Sequence, residues 1–142
     1  MKRRIRVLLV EDNPGDVELI RDSLEDVAPL DITVVGDGAA AIDYLGQSIA
    51  ADRVRPLPDL VLLDLNLPKI SGHEVLHEIR QMADLRAMPV VVVTSSDATL
   101  DIVKSYSLGA NSYVTKPGEL AAFQNTVKAL GNFWCNVARL PS

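Results

Sequence analysis

The sequence holds one cysteine, Cys135. A lone cysteine excludes an internal disulfide framework and a cysteine-based metal site, and it points to a cytoplasmic setting, where thiols stay reduced. Nothing near Cys135 in sequence would lower a thiol pKa, so it is expected to be a buried small residue. Aromatic residues make up only 4% of the chain, so the position of each one carries weight. No apolar run approaches the ~20 residues needed to cross a bilayer, which excludes a spanning helix. The start, Met1-Lys2-Arg3-Arg4, is basic, but the apolar run behind it, Val7 to Val10, ends at once in Glu11-Asp12. That is too short for a signal-peptide core. Beyond that basic start, clustered Lys and Arg are missing as well. With 14 Lys and Arg against 19 Asp and Glu, the net charge is −5, which argues against nucleic acid as the main partner.

What remains is ordinary globular composition, 48% hydrophobic and 23% charged over 142 residues, enough for one domain with a full core. There is no repeat and no low-complexity segment. Short β-branched runs at Ile5–Val10, 32–35, Leu60–Leu63, 90–93 and 112–114 read as strands. Stretches with helical spacing lie between them: Val17, Ile20 and Leu24; then Ala41, Tyr44 and Leu45; then Val75, Leu76 and Ile79. Ile102 and Tyr106 with a stop at Gly109 mark a fourth helix, and Leu120, Phe123, Val127 and Leu130 a fifth. The segment 48–58, with two prolines, reads as a surface loop. Such a βα alternation predicts an α/β fold, a doubly wound parallel sheet between two helical layers. The domain is expected over residues 1–130, with 131–142 as a C-terminal extension.

In open parallel sheets, ligands bind beyond the carboxyl ends of the strands, where the strand order reverses. The unusual polar residues all fall at such ends. Glu11 and Asp12 follow the first strand, Asp64 closes the third, Thr94 closes the fourth, and Lys116 lies just past the fifth. If the order is 2-1-3-4-5, borrowed from other sheets of this kind, three carboxylates meet in one crevice beside Thr94 and Lys116. At ~5 Å spacing each carboxylate pair repels by about 3 kcal/mol at an effective dielectric near 20. Compensation must come from Lys116 and from a hard divalent cation that favours oxygen ligands, for which Mg²⁺ is the natural choice. A carboxylate so placed can act as a nucleophile toward phosphorus, and the Thr94 hydroxyl can donate to a bound phosphoryl group.

Val-Glu-Asp-Asn-Pro at 10–14, Leu-Leu-Asp-Leu-Asn-Leu-Pro at 62–68, Val-Val-Thr-Ser at 92–95 and Tyr-Val-Thr-Lys-Pro at 113–117 resemble the motifs of response regulator receiver domains, in order and in spacing. Each motif alone is weak and the set is specific; the likeness covers roughly the first 130 residues. The resemblance implies a flavodoxin-like (βα)₅ fold with strand order 2-1-3-4-5. It implies that Asp64 is the phosphoacceptor, taking a phosphoryl group from a histidine kinase with the help of Mg²⁺. Asp12 and Asp64 would be direct metal ligands, Asn66 would add its backbone carbonyl, and Glu11 would act through water. Thr94 and Tyr113 would form the switch pair, and Lys116 would contact phosphate, before a cis bond to Pro117. Such a domain is not an enzyme beyond its own phosphorylation and slow dephosphorylation. Glu11 stands where Asp is common, and Ser71-Gly72 where Asp-Gly is common; neither change removes a ligand or a donor.

A narrower likeness is carried by the long loop before Pro58, Leu-Asn-Leu-Pro-Lys at 65–69, Ser-Tyr-Ser-Leu at 105–108 and Phe133-Trp134. These are similar to the small regulators paired with cyanobacterial and bacterial phytochromes. That implies a light-sensing kinase as partner and a homodimer through the fourth helix, the fifth helix and the C-terminal region. With no effector domain following, output is expected through protein contact in a phosphorelay.

Each residue has a plainer reading. Asp12 could cap the first helix, Thr94 could be a strand former, and Lys116 a solvated surface charge. Asp64 resists such a reading, because an acid ending a buried apolar run is costly without a partner. His73 and His77, one turn apart, lack a third metal ligand and read as a solvated helix face. An Asp-nucleophile phosphatase would carry a second Asp as general acid where Asn66 stands, and a flavin carrier would not place Glu11 and Asp12 in its phosphate loop. A pseudo-receiver acting by contact alone would not need the full acidic set.

Overall fold

The computed structural model describes residues 4–52 and 54–141; the basic start at 1–3 lies outside them. Five strands and five helices alternate: β1 (Ile5–Val10), α1 (Pro14–Glu25), β2 (Leu30–Val35), α2 (Gly38–Ile49), β3 (Leu60–Leu63), α3 (Gly72–Gln81), β4 (Val90–Thr94), α4 (Thr99–Ser107), β5 (Ser112–Thr115) and α5 (Leu120–Asn132). The strands form one parallel sheet in the order β2-β1-β3-β4-β5, the flavodoxin-like arrangement expected. Each connection is a βα crossover, as parallel neighbours require.

Strand residues alternate between two cores, because successive side chains leave a strand on opposite faces. Leu8, Val10, Val61, Leu63, Val90 and Val92 meet Ala41, Leu45, Val75, Leu76 and Ile79 on one face. Val7, Leu9, Leu60, Leu62, Val91 and Val93 meet Ile20, Leu24, Phe123, Val127 and Leu130 on the other. Each such side chain, fully buried, contributes about 1.5–3 kcal/mol. Side-chain caps fix where four helices begin, with Glu119 accepting from the Ala121 N–H at the start of α5. Asn13 accepts from the Asp16 N–H, Asp37 from the Ala40 N–H and Ser71 from the Glu74 N–H. Pro14 at the first turn adds a preset φ.

Three details depart from the sequence reading. The loop before β3 starts later than residue 48: α2 runs on to Ile49, and fully buried Ser48 donates to the carbonyls of Tyr44 and Pro56 at 3.0 and 3.1 Å. Tyr106 does not seat α4 in the core; Leu100, Val103 and Tyr106 are all exposed, and Ser105 is the helix's one fully buried residue. Gly109 ends this stretch at φ 103°, where a side chain would be strained and would meet Arg80. The boundary expected after Leu130 falls inside α5, which continues into a π-helical turn at Phe133–Val137. There Cys135 is buried in the second core with Trp134 packed against it, and the Asn136 amide donates to the Val27 carbonyl at 3.0 Å. Gly131 allows the approach, since a Cβ there would lie 2.7 Å from Leu24 Cδ2. Phe133 and Val137 remain exposed.

Candidate functional site

The crevice lies at the carboxyl ends of β1, β3, β4 and β5. β1 delivers Glu11 and Asp12, β3 delivers Asp64, β4 ends in Thr94, and Lys116 follows β5. Carboxylate oxygens of Glu11, Asp12 and Asp64 lie within 4.8 Å of one another. The expected convergence is therefore present. Asp12 is exposed and does not cap α1, a role that Asn13 takes.

Lys116 is almost wholly enclosed, and its ammonium binds three acids: Glu11 Oε2 at 2.8 Å, Asp16 Oδ2 at 2.8 Å and Asp64 Oδ2 at 3.1 Å. Burial alone would lower its pKa, but the hydrogen bonds to Asp16 and Glu11 and the charge of Asp64 raise it instead. The lysine is thus held protonated. Glu11 goes the other way for a carboxyl group: burial pushes it up to about 7, outweighing Lys116, and the charge of Asp64 adds to the rise. For Asp64, burial also works upward. The nearby Thr94 hydroxyl, the charge of Lys116 and the Asn66 N–H, 3.2 Å from Oδ1, overcome it and hold Asp64 below the usual carboxylate range. One carboxylate is held ionised while its neighbour is pushed toward its protonated form.

Thr94 Oγ1 is the one buried side-chain polar atom among the described residues with no hydrogen bond. It lies close enough to Asp64 to favour that carboxylate electrostatically, but not in bonding geometry. A buried hydroxyl without a partner is uncommon and costly, and here it lies near Asp64, whose Oδ2 is held by lysine. Such a pocket would welcome a further group rich in acceptor oxygens. The donor set itself, hard carboxylate oxygens with a single lysine to offset them, fits a divalent cation such as Mg²⁺ or Mn²⁺.

Tyr113 is half-buried, and its hydroxyl donates to the Ser96 carbonyl at 2.8 Å, in the loop that follows Thr94. Lys69 in the loop behind Asp64 adopts φ 67°, uncommon for a side-chain-bearing residue, and pairs with Asp37 at 3.5 Å. The bond before Pro117 is not cis; no cis peptide occurs among the described residues, and trans is the ordinary form even before proline. His73 is not the solvated residue expected: it is half-buried, and its Nε2 lies 2.9 Å from the Ser105 hydroxyl, while His77 is exposed. Asp16 does not stand out in the sequence, because an acid in the first turn of a helix is ordinary on macrodipole grounds.

Residues 7–128 match the response regulator receiver domain family. The chain is 39% identical over 137 residues to the response regulator Rcp1 of Synechocystis sp., covering 96% of this chain and 92% of that protein. The crystal structure of the Mn²⁺-bound form of Rcp1 is similar with a TM-score of 0.89 at 39% identity, covering 97% of this chain and 99% of that one. The crystal structure of the phosphorylated cyanobacterial phytochrome response regulator RcpA gives a TM-score of 0.92 at 41% identity over 99% and 100%. The family match begins in β1 and ends in α5, so it reaches all five strands and takes in every residue of the crevice. On that span the chain belongs to the response regulator receiver domain family of two-component signalling.

Proposed function

We propose that Asp64 is the phosphoacceptor of this receiver, taking its phosphoryl group from a phosphohistidine on a histidine kinase. The observation that carries the reading is a nearly buried aspartate held ionised beside Lys116 at 3.1 Å, with the unpartnered Thr94 hydroxyl next to it. An Asp64 oxygen attacks phosphorus, the P–N bond breaks, and its electron pair returns to the imidazole, which takes up a proton. Asp12, Asp64, the Asn66 backbone carbonyl and, through water, Glu11 would hold Mg²⁺. That ion supplies the positive charge that lets an anionic nucleophile meet an anionic phosphoryl group. Lys116 screens the same encounter from the protein side. Thr94 donates its free hydroxyl to the product, which draws it toward Asp64 and lets Tyr113 follow, the local event of the switch. The chain acts as an acceptor, not as a turnover enzyme, since Asn66 offers no general acid. Beryllofluoride with Mg²⁺, followed by ¹⁹F NMR, tests the site. A bound signal that Asp64→Asn abolishes is expected, and its absence from the wild type would overturn the assignment. A turnover assay on small phosphate esters separates the phosphatase alternative.

The partner that best suits the narrower likeness is a phytochrome-type histidine kinase in the cytoplasm, and output is by protein contact. A second copy of the chain is proposed to dock on the face formed by α4, α5 and the C-terminal turn. Leu100, Val103, Tyr106, Phe133 and Val137 expose apolar surface there, and Phe and Tyr are favoured at interface centres. Truncating the tail is a poor test, because Cys135 and Trp134 belong to the core. Sedimentation of Phe133→Ser/Val137→Ser beside the wild type is the better one: a monomeric wild type at high concentration, with or without beryllofluoride, removes the dimer.

A further inference from the structure

Helix α4 differs from the other four in what holds it. Its one fully buried residue is Ser105, its apolar side chains Leu100 and Val103 face solvent, and the exposed Tyr106 ring reaches β5 through its hydroxyl, which accepts the Tyr113 N–H at 3.1 Å. With no apolar side chain wholly seated in the core, hydrogen bonds along its inner edge carry much of the docking. Those bonds form a chain. Ser96, two residues beyond Thr94, donates its hydroxyl to Asp101 Oδ2 at 2.6 Å, and its carbonyl receives the Tyr113 hydroxyl. The Asp101 carbonyl accepts the Ser105 hydroxyl at 2.8 Å. The Ser105 oxygen in turn meets His73 Nε2 at 2.9 Å. Because the serine proton is committed to Asp101, the ring nitrogen carries the proton and His73 is the donor, whether the ring is neutral or charged.

His73 sits one residue after Gly72, and Gly72 is wedged against the phosphoacceptor loop. A Cβ there would collide with the Asp64 carbonyl oxygen and lie 2.6 Å from Leu65 Cα, and the Gly72 N–H donates to the Leu65 carbonyl at 3.0 Å. The chain of bonds therefore leaves the site at Thr94 and returns to it at Asp64, with α4 suspended between. We propose that His73 is a positioning residue: through Ser105 it pins the middle of α4 to the backbone behind Asp64, so that a pull on Thr94 turns the helix about that point. The proposal rests on the phosphoacceptor reading. When Thr94 moves to a group on Asp64, Ser96 carries the start of α4 with it. Ser105 cannot follow, because His73 holds it to a turn that Gly72 keeps fixed. Without the His73 bond the helix drifts in both states, and its surface no longer reports what Asp64 carries.

The test uses the full chain and the variants His73→Ala, His73→Gln and Ser105→Ala, each with and without beryllofluoride and Mg²⁺. Amide hydrogen exchange across α4 is read alongside the bound ¹⁹F signal. All are expected to bind the mimic. The wild type and His73→Gln, whose amide keeps a donor within reach, should change α4 exchange by at least about fivefold on loading, the low end of usual coupling. His73→Ala and Ser105→Ala should change it less than about twofold. A wild-type-sized response in loaded His73→Ala, or none in the loaded wild type, overturns the coupling. So does faster exchange in His73→Ala by one common factor in both states, which would mark a merely structural bond. Absence of the ¹⁹F signal from the wild type overturns the phosphoacceptor reading, and the coupling with it.

Discussion

Two polar centres sit at opposite ends of the same sheet. At the amino ends of β4 and β5, Arg80 reaches across from α3 and spends its guanidinium on oxygen acceptors: Gly109, Leu85, Arg86 and Met88 carbonyls and Asn111 Oδ1, at 2.7–3.3 Å. Asn111 Oδ1 also takes the Val90 N–H at 2.8 Å, so two loops and the first ladder position of β4 share one cation. At the carboxyl ends, Lys116 is shared among three acids, Glu11 is pushed up to about 7, and Thr94 has no partner. The first centre is saturated and the second is not. A saturated centre gains nothing from a ligand and serves as scaffold; an unsaturated one keeps donors and charge in reserve, and chemistry can be done with them.

The sharpest way to break this contrast is to exchange the effects of its two central residues. Asp64→Asn should eliminate phosphoryl transfer from a histidine kinase while the thermal transition stays cooperative, because size and packing are kept and only the nucleophilic charge goes. Kinase-dependent label on that variant at the wild-type level would place the acceptor elsewhere. Arg80→Ala should do the reverse. It leaves several partly buried carbonyls without a donor, at about 3 kcal/mol, or a fall in melting temperature of about 10 °C for a chain of this size. The folded fraction should still accept the phosphoryl group. A melting temperature within a degree of the wild type would show that water replaces the guanidinium and that the amino-end centre is not scaffold.

The two ends also differ in how far the sequence discloses them. β-branched runs and helical spacing give the five βα units, because hydrophobic period reports burial, and burial is what the sheet and its cover decide. Strand-end acids are legible too, since an acid closing a run such as Leu62-Leu63-Asp64 has no cheap reason to be there. Arg80 is not legible. A single arginine near a helix end reads as a solvated charge, and its value depends on carbonyls from two loops that meet only after folding. His73 is hidden for the same reason, its partner Ser105 lying 32 positions away. Trp134 is hidden in a different way: it follows the expected end of the domain, yet Gly131 lets the last turn close on Leu24 and Val27 and brings it back to the core beside Cys135, whose burial the sequence does suggest.

A smaller effect tests the reserve at the carboxyl end. Lys116→Ala removes the one cation that pairs with Glu11 and Asp64 among the described residues, and with it a competitor for the metal. Mg²⁺ affinity should hold or tighten, while beryllofluoride binding in saturating Mg²⁺ weakens by about 10- to 100-fold, the worth of a charge-assisted hydrogen bond. Titration calorimetry separates the two. Collapse of Mg²⁺ affinity in the variant would mean that lysine organises the metal ligands and that the roles given to them are wrong.

The smallest effect concerns the stability of the metal-free protein, and it follows from Glu11. Its folded-state pKa is about 7 against an ordinary value of 4.5, raised chiefly by burial. Between those values the folded chain holds a proton that the unfolded chain has released. Stability must therefore fall as pH rises from 4.5 to 7, and above 7 the full penalty is in place. The neighbours do not mask this. Asp64 is shifted downward, so its contribution is complete at lower pH, and Lys116 is shifted upward, so its contribution is lost only in strong alkali. Urea midpoints measured in EDTA at pH 5, 6 and 7 should thus decline in the wild type and decline less in Glu11→Gln, which cannot ionise. The amino-end centre supplies the control: among the described residues Arg80 meets carbonyl and amide oxygens and no carboxylate, and its contribution is level across this window. Wild type and Glu11→Gln with parallel pH profiles would mean that Lys116 compensates Glu11 fully, and that the carboxyl end is as saturated as the other.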